Sequence, residues 1–130
     1  MNLGIVILIG TLTWVGLPLG ARADYHSMEV VVTAYNAVPS QTDGSPWIGA
    51  CGDRLDPAQR PIAASPDLFA KGLDCGTKVA LEGDTAEYVV KDKTAKHHRG
   101  HIDLFMGKNL DQAKVFGKRR MRIWWYDDGR

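Results

Sequence analysis

The sequence predicts one small, mainly β domain closed into a barrel with two short helices. Three observations carry that prediction. Short runs rich in Val, Ile and aromatic residues alternate with period two. Those runs are separated by Gly, Pro and Asx residues, not by long helical stretches. With so few residues in the chain, closing the sheet on itself is the economical way to remove exposed strand edges.

The elements follow in order. Residues 29–35 form the first strand, with Val30, Val32 and Ala34 on one face and Val31, Thr33 and Tyr35 on the other. A loop over 36–61 follows and carries four of the six prolines; loops this long inside compact domains usually carry function. Residues 61–64 read as a short buried strand. Ser65 reads as a helix N-cap, Pro66 as the first helical residue and Gly72 as the stop. Residues 77–81 and 86–91 pair across Glu82-Gly83-Asp84. In the strand 101–105, Ile102 and Leu104 face away from His101 and Asp103. Asn109 caps a second short helix, with Gln112 as its capping-box partner, Gly117 as its end, and Leu110, Ala113 and Phe116 as its apolar face. The last strand, 119–125, turns Met121, Ile123 and Trp125 inward and Arg120, Arg122 and Trp124 outward. Trp124 and Trp125 together are read mostly as core and closing strand.

The first 23 residues bear on compartment. The stretch 3–19 is mostly apolar, and Ala21-Arg22-Ala23 supplies a small-x-small pattern of the kind signal peptidase reads. Gly10, Thr11, Thr13, Gly16 and Pro18 interrupt the run, which is short for a hydrocarbon core of roughly 30 Å. A cleaved signal peptide over 1–23 is therefore expected in preference to an uncleaved anchor. No cysteine follows Leu19-Gly20-Ala21, so no lipid anchor is expected there. The domain, 24–130, is expected to be exported to the periplasm, or to associate with the cell wall or outer membrane, as a monomer.

Of 16 basic and 15 acidic residues, only Arg22 falls within the leader, so the mature domain is close to neutral. That argues against a nucleic-acid partner, which needs a surplus of Lys and Arg. Cys51 and Cys75 are the only cysteines. In an exported chain the pair reads as a disulfide, with free thiols the plainer alternative. The spacing is far from that of a zinc knuckle.

Six short motifs in order resemble a known family. Val32-Thr33-Ala34-Tyr35, Ile62-Ala63-Ala64-Ser65, Gly76-Thr77-Lys78-Val79, Val90-Lys91-Asp92, His101-Ile102-Asp103-Leu104 and the ending from Gly117 to Trp124 resemble the 3D (three-aspartate) domain. This domain is shared by membrane-bound lytic transglycosylase A and by wall-associated muralytic proteins. The resemblance implies a six-stranded double-psi β-barrel. It also implies lytic cleavage of peptidoglycan glycan strands between N-acetylmuramic acid and N-acetylglucosamine, with a 1,6-anhydro product. Asp92 matches the family's acid/base and Asp103 its second groove aspartate. Where the family has Val-Asp-Pro, this chain has Ala64-Ser65-Pro66-Asp67, so Asp67 is a displaced first aspartate or no equivalent. After Asp92 the family's glycines are replaced by Lys93-Thr94-Ala95.

One carboxyl can serve such a reaction as acid and then as base, because the nucleophile is the substrate's own C6 hydroxyl. It needs a proton affinity raised by burial or by a neighbouring anion. The expectation is therefore Asp92 as acid/base, tuned by Asp103, with Thr33, Tyr35, Asp67 and Trp47 as substrate contacts. Plainer readings stand beside these. On position alone Asp92 is a turn aspartate between two lysines. Asp67 in the first turn of a helix is favoured by the helix dipole alone. Tyr35 and Trp47 are as readily rim packing. Asp103, mid-strand where aspartate is disfavoured, has the stronger claim to a specific role. His97, His98 and His101 lack a recognised ligand spacing, so no metal or cofactor is expected. The rival functional class is a glycan-binding barrel without catalysis, as in the expansin-like relatives of the fold. An assembly or inhibitor protein that uses only the barrel surface is a third.

Overall fold

The computed structural model describes residues 24–38 and 46–129. The expected signal segment 1–23 and the middle of the long loop lie outside the described residues. The elements are β1 (Asp24–Tyr35), a 3-10 turn (Pro57–Gln59), β2 (Pro61–Ala64), α1 (Pro66–Ala70), β3 (Lys78–Leu81), β4 (Glu87–Lys93), β5 (His101–Phe105), α2 (Leu110–Phe116) and β6 (Arg119–Asp127). The strands close into a barrel in the order β1-β5-β2-β4-β3-β6. The β1–β5 and β2–β4 pairs are parallel; the other four are antiparallel.

Alternation fills the barrel as read. Val30, Val32, Ile62, Ala64, Val79, Leu81, Val90, Ile102, Leu104, Ile123 and Trp125 are buried in one core, joined by Leu68 of α1 and by Leu73. Each Val, Leu or Ile among them contributes about 1.5–3 kcal/mol when fully buried. Trp125 also satisfies its indole N–H by donating to the Lys71 carbonyl at 3.1 Å.

Three expectations need adjusting. β1 begins five residues earlier than expected because its first half pairs with β6, Asp24 opposite Asp127. That half packs little apolar surface, so alternation did not reveal it. Trp124 points outward, as the alternation has it, and at 43% exposed it is not also core; Trp125, 3% exposed, is. The apolar face of α2 is only lightly engaged, with Leu110 46% exposed. The Asn109 cap is as read: its Oδ1 accepts from the Gln112 N–H at 2.9 Å, and its Nδ2 donates to the Gln112 side chain.

A second apolar cluster sits on the outside of the wall. Tyr35, Ala37, Leu55, Ala63 and Phe105 are buried there with Trp47 against them. The described part of the long loop, from residue 46 onward, folds back to cover this face.

Candidate functional site

The β-ladders line up four residues across four adjacent strands. Thr33 of β1 is opposite Asp103 of β5, Asp103 is opposite Ala63 of β2, and Ala63 is opposite Asp92 of β4. Residues paired this way project to the same face of a sheet. The row Thr33–Asp103–Ala63–Asp92 thus runs across the outer wall, with two carboxylates flanking a methyl. One irregularity produces it. The β2–β4 register shifts between Ile62 and Ala63, so Asp92, not Lys91, comes opposite Ala63. Without that bulge Asp92 would align with Ala64 and turn into the core.

Each carboxylate has its own set of partners. Asp92 accepts from three donors: the Tyr35 hydroxyl at 3.0 Å on one oxygen, and the Ala50 and Lys93 N–H groups at 2.7 and 2.9 Å on the other. Asp103 accepts from the Thr33 hydroxyl at 2.9 Å. Burial pushes the Asp103 carboxyl up to about 6; the Thr33 hydrogen bond opposes the shift and the Asp92 charge adds to it. Asp103, the residue expected to act as the tuning partner, is thus itself raised. Burial, with the negative charge and hydrogen bond of Asp92, also drives the Tyr35 hydroxyl far above its ordinary value. Tyr35 thus stays a donor.

The loop is held to this row by covalent and steric means. Cys51 and Cys75 form a disulfide, with Cα atoms 5.7 Å apart. The Cys51 N–H donates to the Lys91 carbonyl at 3.3 Å, next to Asp92. A Cβ at Gly49 would collide with that same carbonyl, so only glycine lets the loop backbone lie so close to β4. Trp47 stands edge-on to Phe105, ring centres 5.5 Å apart, and Phe105 meets Tyr35 edge-on at 5.2 Å. Trp47 thus forms the end of an aromatic wall beside the row.

Asp67 lies apart from the two aspartates. Its carboxylate accepts from the Ser65 hydroxyl at 2.6 Å and from the Gly100 N–H at 3.0 Å. Burial works against these bonds, but together they hold Asp67 below its ordinary value. Asp67 fastens α1 to the turn that precedes β5, while Ser65, the N-cap by position, makes no side-chain cap bond. His101 connects that end to the row, its Nε2 2.7 Å from the Thr33 hydroxyl. Burial lowers the His101 value, helped by His98 and Lys118. The rings of His97 and His98 are tilted against each other with centres 4.4 Å apart, and His98 stacks on His101 at 4.5 Å. Among the described residues no cluster of three or more His, Cys, Asp or Glu is arranged to hold a metal.

Sequence reasoning missed Arg60. It is the one described non-glycine residue with positive φ, at 56°, a conformation that costs of order 1 kcal/mol. It caps the 3-10 turn and lines a cavity of about 280 Å³ with Tyr88, Phe105 and Gln112. A capped turn is legible in Asp56-Pro57, but nothing in the sequence marks the residue that leaves it as left-handed.

No protein-family model matches the chain, and no curated protein matches it. Solved structures do. The apo form of an expansin from Clavibacter michiganensis aligns with 75% of this chain at 21% identity and a TM-score of 0.50. This chain covers only 49% of that expansin, so it spans about half the neighbour's length. A Streptomyces papain inhibitor aligns with 78% of this chain and 94% of its own, at 24% identity and a TM-score of 0.50. At these identities the similarity is one of fold, and the fold of this chain is the six-stranded double-psi β-barrel.

Proposed function

We propose that this protein is an exported glycan-binding barrel that holds polysaccharide of the bacterial wall along the Thr33–Asp103–Ala63–Asp92 row, without cutting it. The observation that carries the reading is the row itself: hydroxyl and carboxylate groups at strand spacing on one face, with a small residue between the acids. Trp47, the partly exposed end of a ring series whose Tyr35 and Phe105 are buried, lies alongside. Acceptors that meet sugar hydroxyls, beside aromatic and apolar surface, are what a carbohydrate requires. The three donors on Asp92 suit an acceptor that fastens the loop over the groove. The expansin similarity supports the fold of such a binder, and the 3D-domain resemblance supplies peptidoglycan as the substrate class.

A second reading rests on Asp103. A buried carboxyl raised to about 6 retains a proton close to neutral pH and can hand it to a glycosidic oxygen. The barrel would then be a lytic transglycosylase with Asp103 as acid and the Asp92 carboxylate beside it. Incubating the mature protein with purified sacculi decides between the two. Pelleting with the sacculi and no soluble fragments by mass spectrometry supports the binder. Release of 1,6-anhydromuramyl fragments, abolished in Asp103→Asn, replaces it with the enzyme. Absence of both removes the wall from the proposal.

A further inference from the structure

The cavity around Arg60 is not part of the aspartate row, yet it adjoins it. Phe105 lines the cavity and belongs to the aromatic wall of the row. It lies two residues beyond Asp103 on β5, about 7 Å along the strand. The other cavity walls come from the 3-10 turn, from Tyr88 of β4 and from Gln112 of α2. At about 280 Å³ the space suits one sugar ring or its substituent, and is too small for a chain.

Its chemistry differs from that of the row. The row offers carboxylates; the cavity offers a guanidinium. Arg60 lies over the Tyr88 ring, 5.6 Å from its centre, and no carboxylate among the described residues is within ion-pair distance of it. Asp84, whose carboxyl the Arg60 charge helps to lower, is occupied by the Tyr88 hydroxyl at 2.6 Å and the Ala86 N–H at 2.9 Å. The backbone pays for this arrangement in the left-handed φ of 56° at Arg60, where glycine would sit without strain. Arg60 gives one donor to the Tyr88 hydroxyl, and a guanidinium has five. An exposed arginine with no ion pair among the described residues, at a strained position, on an aromatic ring and lining a ring-sized space, has the make-up of an anion subsite.

We infer that the Arg60 cavity takes the carboxylate of an acidic sugar whose neighbours lie along the aspartate row, and so selects acidic over neutral glycans. The inference rests on the glycan-binding reading above. Two sources carry that carboxylate, the lactyl group of N-acetylmuramic acid and a uronic acid.

The test measures binding of the mature protein, by calorimetry or NMR shift titration, to peptide-free wall glycan strands, to oligogalacturonate and to neutral chito-oligosaccharide of matched length. Wild type is expected to bind one of the acidic glycans at least tenfold more tightly than the neutral one, the range of a charged hydrogen bond. Arg60→Gly removes the guanidinium and relieves the φ strain, so it is expected to melt no lower than wild type. It is also expected to bind acidic and neutral glycans alike, with Arg60→Lys intermediate. A wild type that does not discriminate, or an Arg60→Gly variant that still does, overturns the inference and leaves the groove reading standing. Preference for oligogalacturonate alone keeps the subsite but rejects peptidoglycan as its source. Binding to none of the three refutes the groove reading, and this inference with it.

Discussion

Replacing Asp103 with asparagine is expected to make the protein more stable at neutral pH. The carboxyl has an unfolded value near 3.8 and is pushed up to about 6 in the fold. Each tenfold change in proton affinity is about 1.4 kcal/mol, so the difference amounts to about 3 kcal/mol. The sign follows from linkage. Between pH 4 and 6 the folded protein binds the proton more tightly than the unfolded chain, so stability falls as pH rises through that window. Below pH 4 the group is neutral in both states and the full contribution is present; above pH 6 it is lost. Asparagine is neutral throughout and keeps an oxygen that accepts from the Thr33 hydroxyl, 2.9 Å away in the wild type. Asp103→Asn should therefore match wild type near pH 3.5 and exceed it by about 3 kcal/mol at pH 7, or about 13 °C in Tm for a domain of this size. Urea denaturation of both proteins from pH 3.5 to 7.5 measures the difference directly and cancels every other titrating group. A difference that stays flat across the window, or a variant less stable than wild type at pH 7, refutes the argument that burial of this carboxyl opposes folding.

Three further perturbations address the covering loop. Tyr35→Phe removes the hydroxyl that reaches Asp92 and is expected to cost about 1.5–3 kcal/mol, read as a lower urea midpoint with unchanged slope. Reducing the Cys51–Cys75 disulfide, which joins residues 24 positions apart, should cost about 3 kcal/mol in the chain-entropy model. It should also speed hydrogen exchange at the Ala50 and Cys51 amides before any in the barrel core. Gly49→Ala pushes a methyl into the Lys91 carbonyl and should destabilise by about 1–3 kcal/mol. The Ala50 amide, bonded to Asp92, should then shift in the NMR spectrum.

Much of this barrel is legible in the sequence because its core obeys strict alternation. Val30, Val32, Val90, Ile102 and Ile123 are each almost fully buried, and each belongs to a run with polar residues on its outward face; Ile62 sits in a run buried throughout. Thr33 and Asp103 were readable for the same reason, as polar residues on the outer side of buried strands. Asp92 was not readable from periodicity. Its face depends on a one-residue slip between β2 and β4, and a slip of that kind is set by the fit of two distant strands, not by either one. The 3D-domain resemblance singled Asp92 out where the pattern did not. Asp67 shows the converse: local sequence gives it a plain helix-terminal role, and its bonds to Ser65 and Gly100 agree with a structural fastening. Arg60 escaped notice because backbone handedness at one non-glycine residue leaves no periodic trace.

The position of β6 bears on how the chain reaches this state. It is last in sequence but closes two seams of the barrel, against β1 and against β3. β1 in turn can pair with β5 and β6 only after nearly all of the intervening chain exists. Every pairing of the first strand is therefore long-range, and such topologies fold slowly, since loop closure must be paid before the contacts form. A growing chain carries β1 with both of its edges open until β5 exists, and with one still open until β6 arrives. Until then that first strand is the segment most exposed to wrong partners, and completion of β6 is the event that removes the hazard.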